Sequence, residues 1–299
     1  MVKYVEGCAP TDHVHRLRLI YATSSAEQNI HLWLQRRTTD YAICQLERQS
    51  TLSGIELSFT DPLLDSDLDA IKQHSDIDVH VIDKSLPKLE QQGLLLMDMD
   101  STAIEMECID ELAKIAGVGD QVAEVTEQAM QGKLDFEQAL RERVATLKGL
   151  PADVITELCQ KLPLMSGLTE MIAELQSYGW KVALASGGFI PFVESLKLQL
   201  NLDAAFANDL VIESGKLTGK LQGDIVDAKY KANVLLKLAK QFDIEHSQCV
   251  AIGDGANDIP MLQQADLGIA YHAKEKVSQL ADMSIKHLDL RVLPFLFSK

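Results

Sequence analysis

The chain has 299 residues, 46% of them hydrophobic and 24% charged, a globular composition long enough for two separate cores. Its formal net charge of −16 argues against nucleic acid or an anionic membrane as partner. No apolar run approaches a transmembrane span, and residues 1–16 lack the apolar core of a signal peptide. Cysteines 8, 44, 108, 159 and 249 are scattered without a CxxC pair, which speaks against a zinc ribbon or a disulfide framework and for a reducing cytoplasm.

In chain order, His13 and His15 lie in a polar stretch and read as solvated. Leu17 to Tyr21 reads as a strand. Ser24-Ser25 is placed to cap a helix through Arg36, with Ile30, Trp33 and Leu34 on one face. Residues 40–47 and 53–59 alternate as two more strands. Asp65 or Ser66 can cap a helix carrying Leu68 and Ile71, and residues 78–82 alternate again. The order β-α-β-β-α-β is the ferredoxin-like arrangement. In element order it resembles the ACT-like small domains that accompany enzymes of amino-acid metabolism; a purely structural or dimerising appendage fits the same pattern. Residues 83–87, Asp-Lys-Ser-Leu-Pro, read as a linker, dividing an N-terminal domain, 1–85, from a second domain, 86–299.

The first strand signal of the second domain is Leu94-Leu95-Leu96-Met97-Asp98-Met99-Asp100-Ser101-Thr102. A short, wholly apolar run fits a strand buried on both faces of a parallel sheet. Side chains alternate along a strand, so Asp98 and Asp100 leave it on the same side. Two crowded carboxylates need a cation between them or a proton on one. The carboxyl end of an open α/β sheet is also where ligands bind. One stretch therefore offers a metal site and a carboxylate nucleophile, although an acidic turn has the same composition.

Helical patterns then fill residues 104–165 before the next strand, at 107–116, 121–130, 136–147 and 152–161. This is an insertion placed over the acidic strand end, where it can exclude water. It carries Glu107 and Arg143. A helix over 169–178 leads to a strand over 181–185 that ends in Ser186-Gly187-Gly188-Phe189, a turn whose hydroxyl and free N–H groups suit phosphate oxygens. Residues 211–221 read as a hairpin with a Ser-Gly turn. Lys231 falls in the first turn of a helix over 229–242, where a cation is disfavoured unless an anion holds it. A third buried strand, 249–252, ends in Gly253-Asp254-Gly255-Ala256-Asn257-Asp258, and strands at 267–270 and 283–285 complete a parallel α/β sheet with helices on both sides.

The motifs DMDST at 98–102, Ser186 at a strand end, Lys231 at a helix start and GDGAND at 253–258 together resemble the haloacid-dehalogenase-type phosphatases. The match runs from about Leu94 to the C-terminus. Within that family DMDSTAIEMECIDELA, KLDFEQALRERV, SGGF and GDGANDIPML are most similar to the members that hydrolyse O-phospho-L-serine. The resemblance implies a Rossmann-like parallel sheet with a helical cap inserted after the first strand, and hydrolysis of that ester as the last step of L-serine biosynthesis. It implies Asp98 as nucleophile, forming an aspartyl phosphate, and Asp100 as acid and then base. Mg²⁺ would be held by Asp98, the Asp100 carbonyl and Asp254, with Asp258 in support. Ser186, the Gly187 backbone and Lys231 would hold phosphate oxygens, with Asn257 orienting the site. Glu107 and Arg143 would read the ammonium and carboxylate against an apolar wall of Met130 and Phe136. A cytoplasmic enzyme, possibly a homodimer, with a small-molecule substrate and neither nucleic-acid nor membrane partner is expected. A receiver-type module also phosphorylates an aspartate, but it lacks the insertion and an acid at the Asp100 position. Another small phosphomonoester is opposed only by the Glu107–Arg143 pair.

Overall fold

A computed structural model describes residues 3–4, 14–37 and 41–298. His13 and Asp40 lie outside the described residues, as do Cys8 and the side chain of Met130. Among the described residues no helix is long and apolar enough to cross a membrane.

The first part contains β1 (Lys3–Tyr4), β2 (His15–Tyr21), α1 (Ser24–Gln35), β3 (Tyr41–Leu46), β4 (Ser53–Phe59), α2 (Asp65–Lys72) and β5 (Ile77–Ile82). They build a sheet in the order β1-β3-β4-β2-β5, antiparallel throughout except that β1 joins β3 in parallel. Leu17, Leu19, Leu57 and Phe59 on one face pack against Ile30, Trp33, Leu34 and Ile71 of the two helices. Two caps differ from expectation. Thr23, one residue earlier than the Ser-Ser pair, accepts from the Ala26 N–H and starts α1. α2 follows Leu64 and has no side-chain cap.

The second part runs β6 (Leu94–Met97), α3 (Cys108–Ala116), α4 (Gly119–Met130), α5 (Phe136–Thr146), α6 (Asp153–Cys159), α7 (Leu168–Ser177), β7 (Lys181–Phe189), α8 (Ile190–Leu200), β8 (Ala204–Glu213), β9 (Lys216–Gln222), α9 (Ala228–Phe242), β10 (Cys249–Gly253), α10 (Ile259–Gln264), β11 (Leu267–Tyr271), α11 (Glu275–Ser278) and β12 (Met283–Ile285), with a final 3-10 segment, Leu290–Leu296. The sheet order is β12-β11-β10-β6-β7-β8-β9, parallel apart from the β8–β9 hairpin. The hairpin turns through Ser214 and Gly215, both at positive φ, the conformation a two-residue hairpin turn needs.

β6 lies in the middle, and its four residues are fully buried. Leu95 and Met97 enter one apolar core, Leu94 and Leu96 the other, as a strand covered on both faces requires. The chain leaves β6 for β7 on one side and returns to β10 on the other. The strand order therefore reverses beside β6, the crevice where α/β sheets take ligands. Helices α3 to α6 occupy the chain between β6 and α7.

The two sheets are joined by buried polar contacts. Alternation sends Arg18, Asp78 and His80 to the face of the first sheet opposite its helices. Arg18, 3% exposed, donates to the carbonyls of Phe295 and Phe297 at 2.5 and 2.9 Å, and is held by Glu56 at 2.7 Å. Asp78, 2% exposed, accepts from the N–H groups of Lys286, His287 and Leu288. Arg48 donates to the carbonyls of Pro294 and Phe297. Ile20, Leu52 and Ile82 share an apolar cluster with Phe295 and Phe297.

Candidate active site

Three strand ends and one helix converge on the crevice. β6 delivers Asp98 and, beyond a tight turn, Asp100. In that turn the N–H groups of Thr102, Ala103 and Ile104 all point at the Met99 carbonyl, and Ser101 takes positive φ. The Asp98 N–H donates to Ile252 at 3.0 Å, which ties the turn to β10. β10 delivers Asp254 and the 3-10 turn 256–258. Gly253 is required there, because a Cβ would stand 2.6 Å from the Asp258 carboxylate. α9, capped by Asp227 through the Tyr230 N–H, brings up Lys231.

Lys231 is 1% exposed, and its Nζ donates to Asp98 Oδ1 and Asp258 Oδ1, both at 2.7 Å. Burial works against its charge, but the two carboxylates outweigh burial and raise its pKa above the ordinary lysine value. Asp98 is pushed well above the carboxylate range by burial and by Asp258, with Lys231 opposing. Asp254 is raised to about 6 by burial, then by Asp258 and Glu107, and it accepts from the Thr102 hydroxyl at 3.2 Å. One oxygen from each of Asp98, Asp254 and Asp258 lies within 4.8 Å of the others. An oxygen-only, strongly acidic set with a single buried ammonium fits a hard divalent cation; it has no histidine or thiolate to favour zinc.

Asp100 stands apart from that cluster. Its Oδ2 accepts from the Cys108 N–H at 3.1 Å, whereas Oδ1 is buried without a partner. Burial and then Glu107 lift its carboxyl to about 7. A group poised at that value can carry a proton and give it up, which is what acid–base work at neutral pH needs. Ser186, 1% exposed, sits close by: a Cβ on Gly188 would lie 3.1 Å from Ser186 Oγ and 3.6 Å from Asp100 Oδ2.

Residues of α3 to α5 line the cavity opposite this floor. Phe136 opens α5 behind an Asp135–Gln138 capping box, and its ring lies over Gly187, where a Cβ would come within 3.3 Å. Arg143, two turns on, reaches the same cavity half-buried. Among the described residues it makes no ion pair, and burial lowers its pKa, opposed by Asp110, Glu107 and Asp100. Glu107 is exposed and accepts from Ser101 at 2.8 Å. A cavity of about 630 Å³ is lined by Asp98, Asp100, Glu107, Phe136, Arg143, Ser186, Gly187, Asp254 and Asn257. Lys231 lies beneath it, bonded to Asp98, and Asp258 is bonded to Lys231 in turn. Met130 ends α4, its side chain outside the described residues.

Sequence reading passed over three residues of this neighbourhood. Thr102 belongs to the acidic motif but was read only as its end. Lys274 lines the cavity from the start of α11, with nothing in its local sequence to mark it. Asn208, buried in β8, was marked only by being a poor strand former inside a strand.

A family model of haloacid dehalogenase-like hydrolases matches residues 93–266. The phosphoserine phosphatase of Haemophilus influenzae is 53% identical over 232 residues, 77% of this chain and 74% of that protein. The chain belongs to the phosphoserine phosphatases of the haloacid dehalogenase-like hydrolase family. Among solved phosphoserine phosphatases, a probable member from Vibrio cholerae superposes with TM-score 0.81 at 43% identity over 98% of this chain and 89% of that one. A substrate-bound phosphoserine phosphatase superposes with TM-score 0.64 at 42% identity over 69% of this chain and 99% of its own. The likeness to the first covers nearly the whole chain, the first sheet included, whereas the second matches about two thirds of it.

Proposed function

We propose that the chain hydrolyses O-phospho-L-serine to L-serine and phosphate, with Mg²⁺ as cofactor. The observation that carries this reading is one cavity with two chemically different halves. Its floor is made of Asp98, Asp100, Asp254, Ser186 and the Lys231 beneath, and its roof presents Arg143 and Glu107. The floor suits any phosphomonoester. The roof suits an amino acid, since Arg clamps a carboxylate and Glu complements an ammonium.

In this reading Asp98 attacks phosphorus, the bond from phosphorus to the serine oxygen breaks, and Asp100 gives that oxygen its proton. Water then attacks the aspartyl phosphate; Asp100 takes its proton and Asp98 is released with free phosphate. Ser186, the Gly187 backbone and Lys231 hold the equatorial oxygens, and Asn257 orients the acidic loop. Lys231 also fixes the Asp98 carboxylate, while Phe136 helps exclude water. The metal, held by Asp98, the Asp100 carbonyl and Asp254 with Asp258 beside them, would supply charge neutralisation, the main demand of phosphoryl transfer.

The same reading takes residues 1–85 as an ACT-like domain and 86–299 as the catalytic domain, with a cap over about 104–165. The β-α-β-β-α-β order from β2 to β5, to which β1 adds a fifth, edge strand, supports the former. It also extends to a cytoplasmic homodimer without nucleic-acid partner, in keeping with the net charge of −16; light scattering decides the dimer. The deciding experiment for function is phosphate release from a panel of phosphomonoesters with and without Mg²⁺. Phosphoserine should be turned over fastest, only with metal, and not by Asp98→Asn. Preference for an ester without an amino-acid end would overturn the substrate assignment.

A further inference from the structure

Asn208 is 1% exposed in β8, and its side chain makes three hydrogen bonds to two different parts of the phosphate-binding floor. Nδ2 donates to the Gly187 carbonyl at 2.8 Å and the Gly188 carbonyl at 3.3 Å, and Oδ1 accepts from the Val226 N–H at 2.9 Å. These bonds follow from an irregularity in the ladder. β7 and β8 pair regularly at Ala185↔Phe206, and the next pair is Phe189↔Asn208. Three residues of β7, Ser186 to Gly188, thus face one residue of β8, and the bulged carbonyls lose their ladder donors. Buried carbonyls must be satisfied, and the Asn208 amide stands in for the missing backbone N–H.

The bonds have a direction. A trans peptide points its C=O and N–H to opposite sides. Holding the Gly187 carbonyl towards β8 therefore turns the Gly188 N–H away from it, and that N–H donates to Ser186 Oγ at 2.9 Å. A hydroxyl oxygen engaged as acceptor keeps its own O–H free to donate to an anion. On the other side, Val226 immediately precedes Asp227, whose side chain caps α9 and whose carbonyl accepts from the Lys231 N–H at 3.0 Å.

We propose that Asn208 is a positioning residue for phosphate binding: it sets the Ser186 hydroxyl through the Gly187–Gly188 peptide and registers the start of the Lys231 helix to the same strand. The role rests on the reading of Ser186 and Lys231 as phosphate ligands. It requires both ends of the amide, a donor towards β7 and an acceptor from Val226, which no other side chain of that size supplies.

The test is a double-mutant cycle with Ser186→Ala, using Asn208→Ala and the near-isosteric Asn208→Asp, which keeps the acceptor and loses the donor. Each protein is loaded with Mg²⁺ and read by kcat/KM on phosphoserine and by the Kd of inorganic phosphate from calorimetry. Either Asn208 change alone should weaken phosphate binding and kcat/KM by about tenfold to a hundredfold. In the Ser186→Ala background the same change should cost several-fold less, because its main target is gone. A merely structural role would lower thermal stability and cost the same factor in both backgrounds; that result overturns the proposal, as would failure of both variants to fold or a Kd unchanged in both. The wild-type assay separates the two readings: no turnover of phosphoserine defeats the proposed function, whereas normal wild-type turnover with an additive cycle defeats only the role of Asn208.

Discussion

Asp98 and Asp100 are two positions apart, yet their surroundings differ. Asp98 is tied to Lys231 and its own turn, whereas Asp100 keeps one oxygen unpartnered beneath the cap and is raised to about 7. Splitting the environments of two neighbouring carboxyls lets one serve as nucleophile and the other as proton donor. An Asn at position 100 keeps the shape and the bond to the Cys108 N–H but carries no acidic proton. Asp100→Asn should therefore slow phosphoserine hydrolysis on the order of 10²–10⁴-fold. An aryl phosphate, whose leaving group departs without help, should lose far less. Steady-state rates on the two substrates check this, and equal losses would remove Asp100 as the acid.

At the scale of elements, the proposed function gives α5 the reading of the substrate and the sheet the chemistry. It is anchored at both ends. Its capping box fixes the start beside Phe136, and beyond its last turn Gly149 and Leu217 bond across to the β9 edge, as do Leu217 and Leu150. Arg143 is thus presented from a helix braced on the hairpin. Arg143→Ala should cost phosphoserine roughly 1.5–3 kcal/mol, on the order of tenfold to a hundredfold in kcat/KM, as expected for a charge-assisted hydrogen bond. Phosphoethanolamine, which lacks the carboxylate, should be almost unaffected. Measuring both substrates on both proteins separates recognition from a general closing defect, which would slow the two alike.

For the whole molecule, the two sheets meet at a joint of buried polar groups. His80 of β5 is 3% exposed at that joint, its Nε2 unpartnered, between Asp78 and Arg18. Burial lowers its pKa to about 4 from an ordinary 6.5, with Asp78 opposing and Arg18 assisting. The folded protein therefore holds it neutral. Its contribution to stability is full above the unfolded value and is lost as pH falls from 6.5 towards 4, because the unfolded chain binds the proton first. Between about pH 7.5 and about pH 5 the protein should lose roughly 2 kcal/mol relative to His80→Leu, read from denaturant unfolding of both. An identical pH dependence in the two proteins would sink this account. Truncation probes the same joint. A chain starting at Leu86 keeps the bonds of Leu86, Pro87 and Leu89 to Ser298. All cavity-lining groups lie beyond it. It should hydrolyse phosphoserine. Its melting temperature should be lower, since the carbonyls of Pro294, Phe295 and Phe297 lose Arg18 and Arg48. A folded but inactive truncation would assign the first sheet a part in the site.

Local pattern was enough wherever one residue's surroundings follow from its neighbours in the chain. The wholly apolar Leu94–Met97 fits a strand covered on both faces, which it is, and the Asp98 and Asp100 that follow it both line the cavity, although a tight turn separates Asp100 from the acidic cluster. Glycines and aspartates at three strand ends marked the crevice, and the helical run after Thr102 marked what covers it. Caps were less legible, because Thr23, Ser24 and Ser25 compete for one role and backbone geometry chose the first. Long-range pairing lay beyond the sequence. That Lys231 bridges Asp98 and Asp258 depends on α9 packing beside β6, and that Arg18 and Asp78 are buried depends on a second sheet supplying carbonyls and N–H groups more than two hundred residues away. Asn208 belongs to the same class: its partners exist only because β7 bulges against β8. Polar residues declare their chemistry locally, but whether they are solvated, paired or structural is decided by which distant backbone the fold places against them.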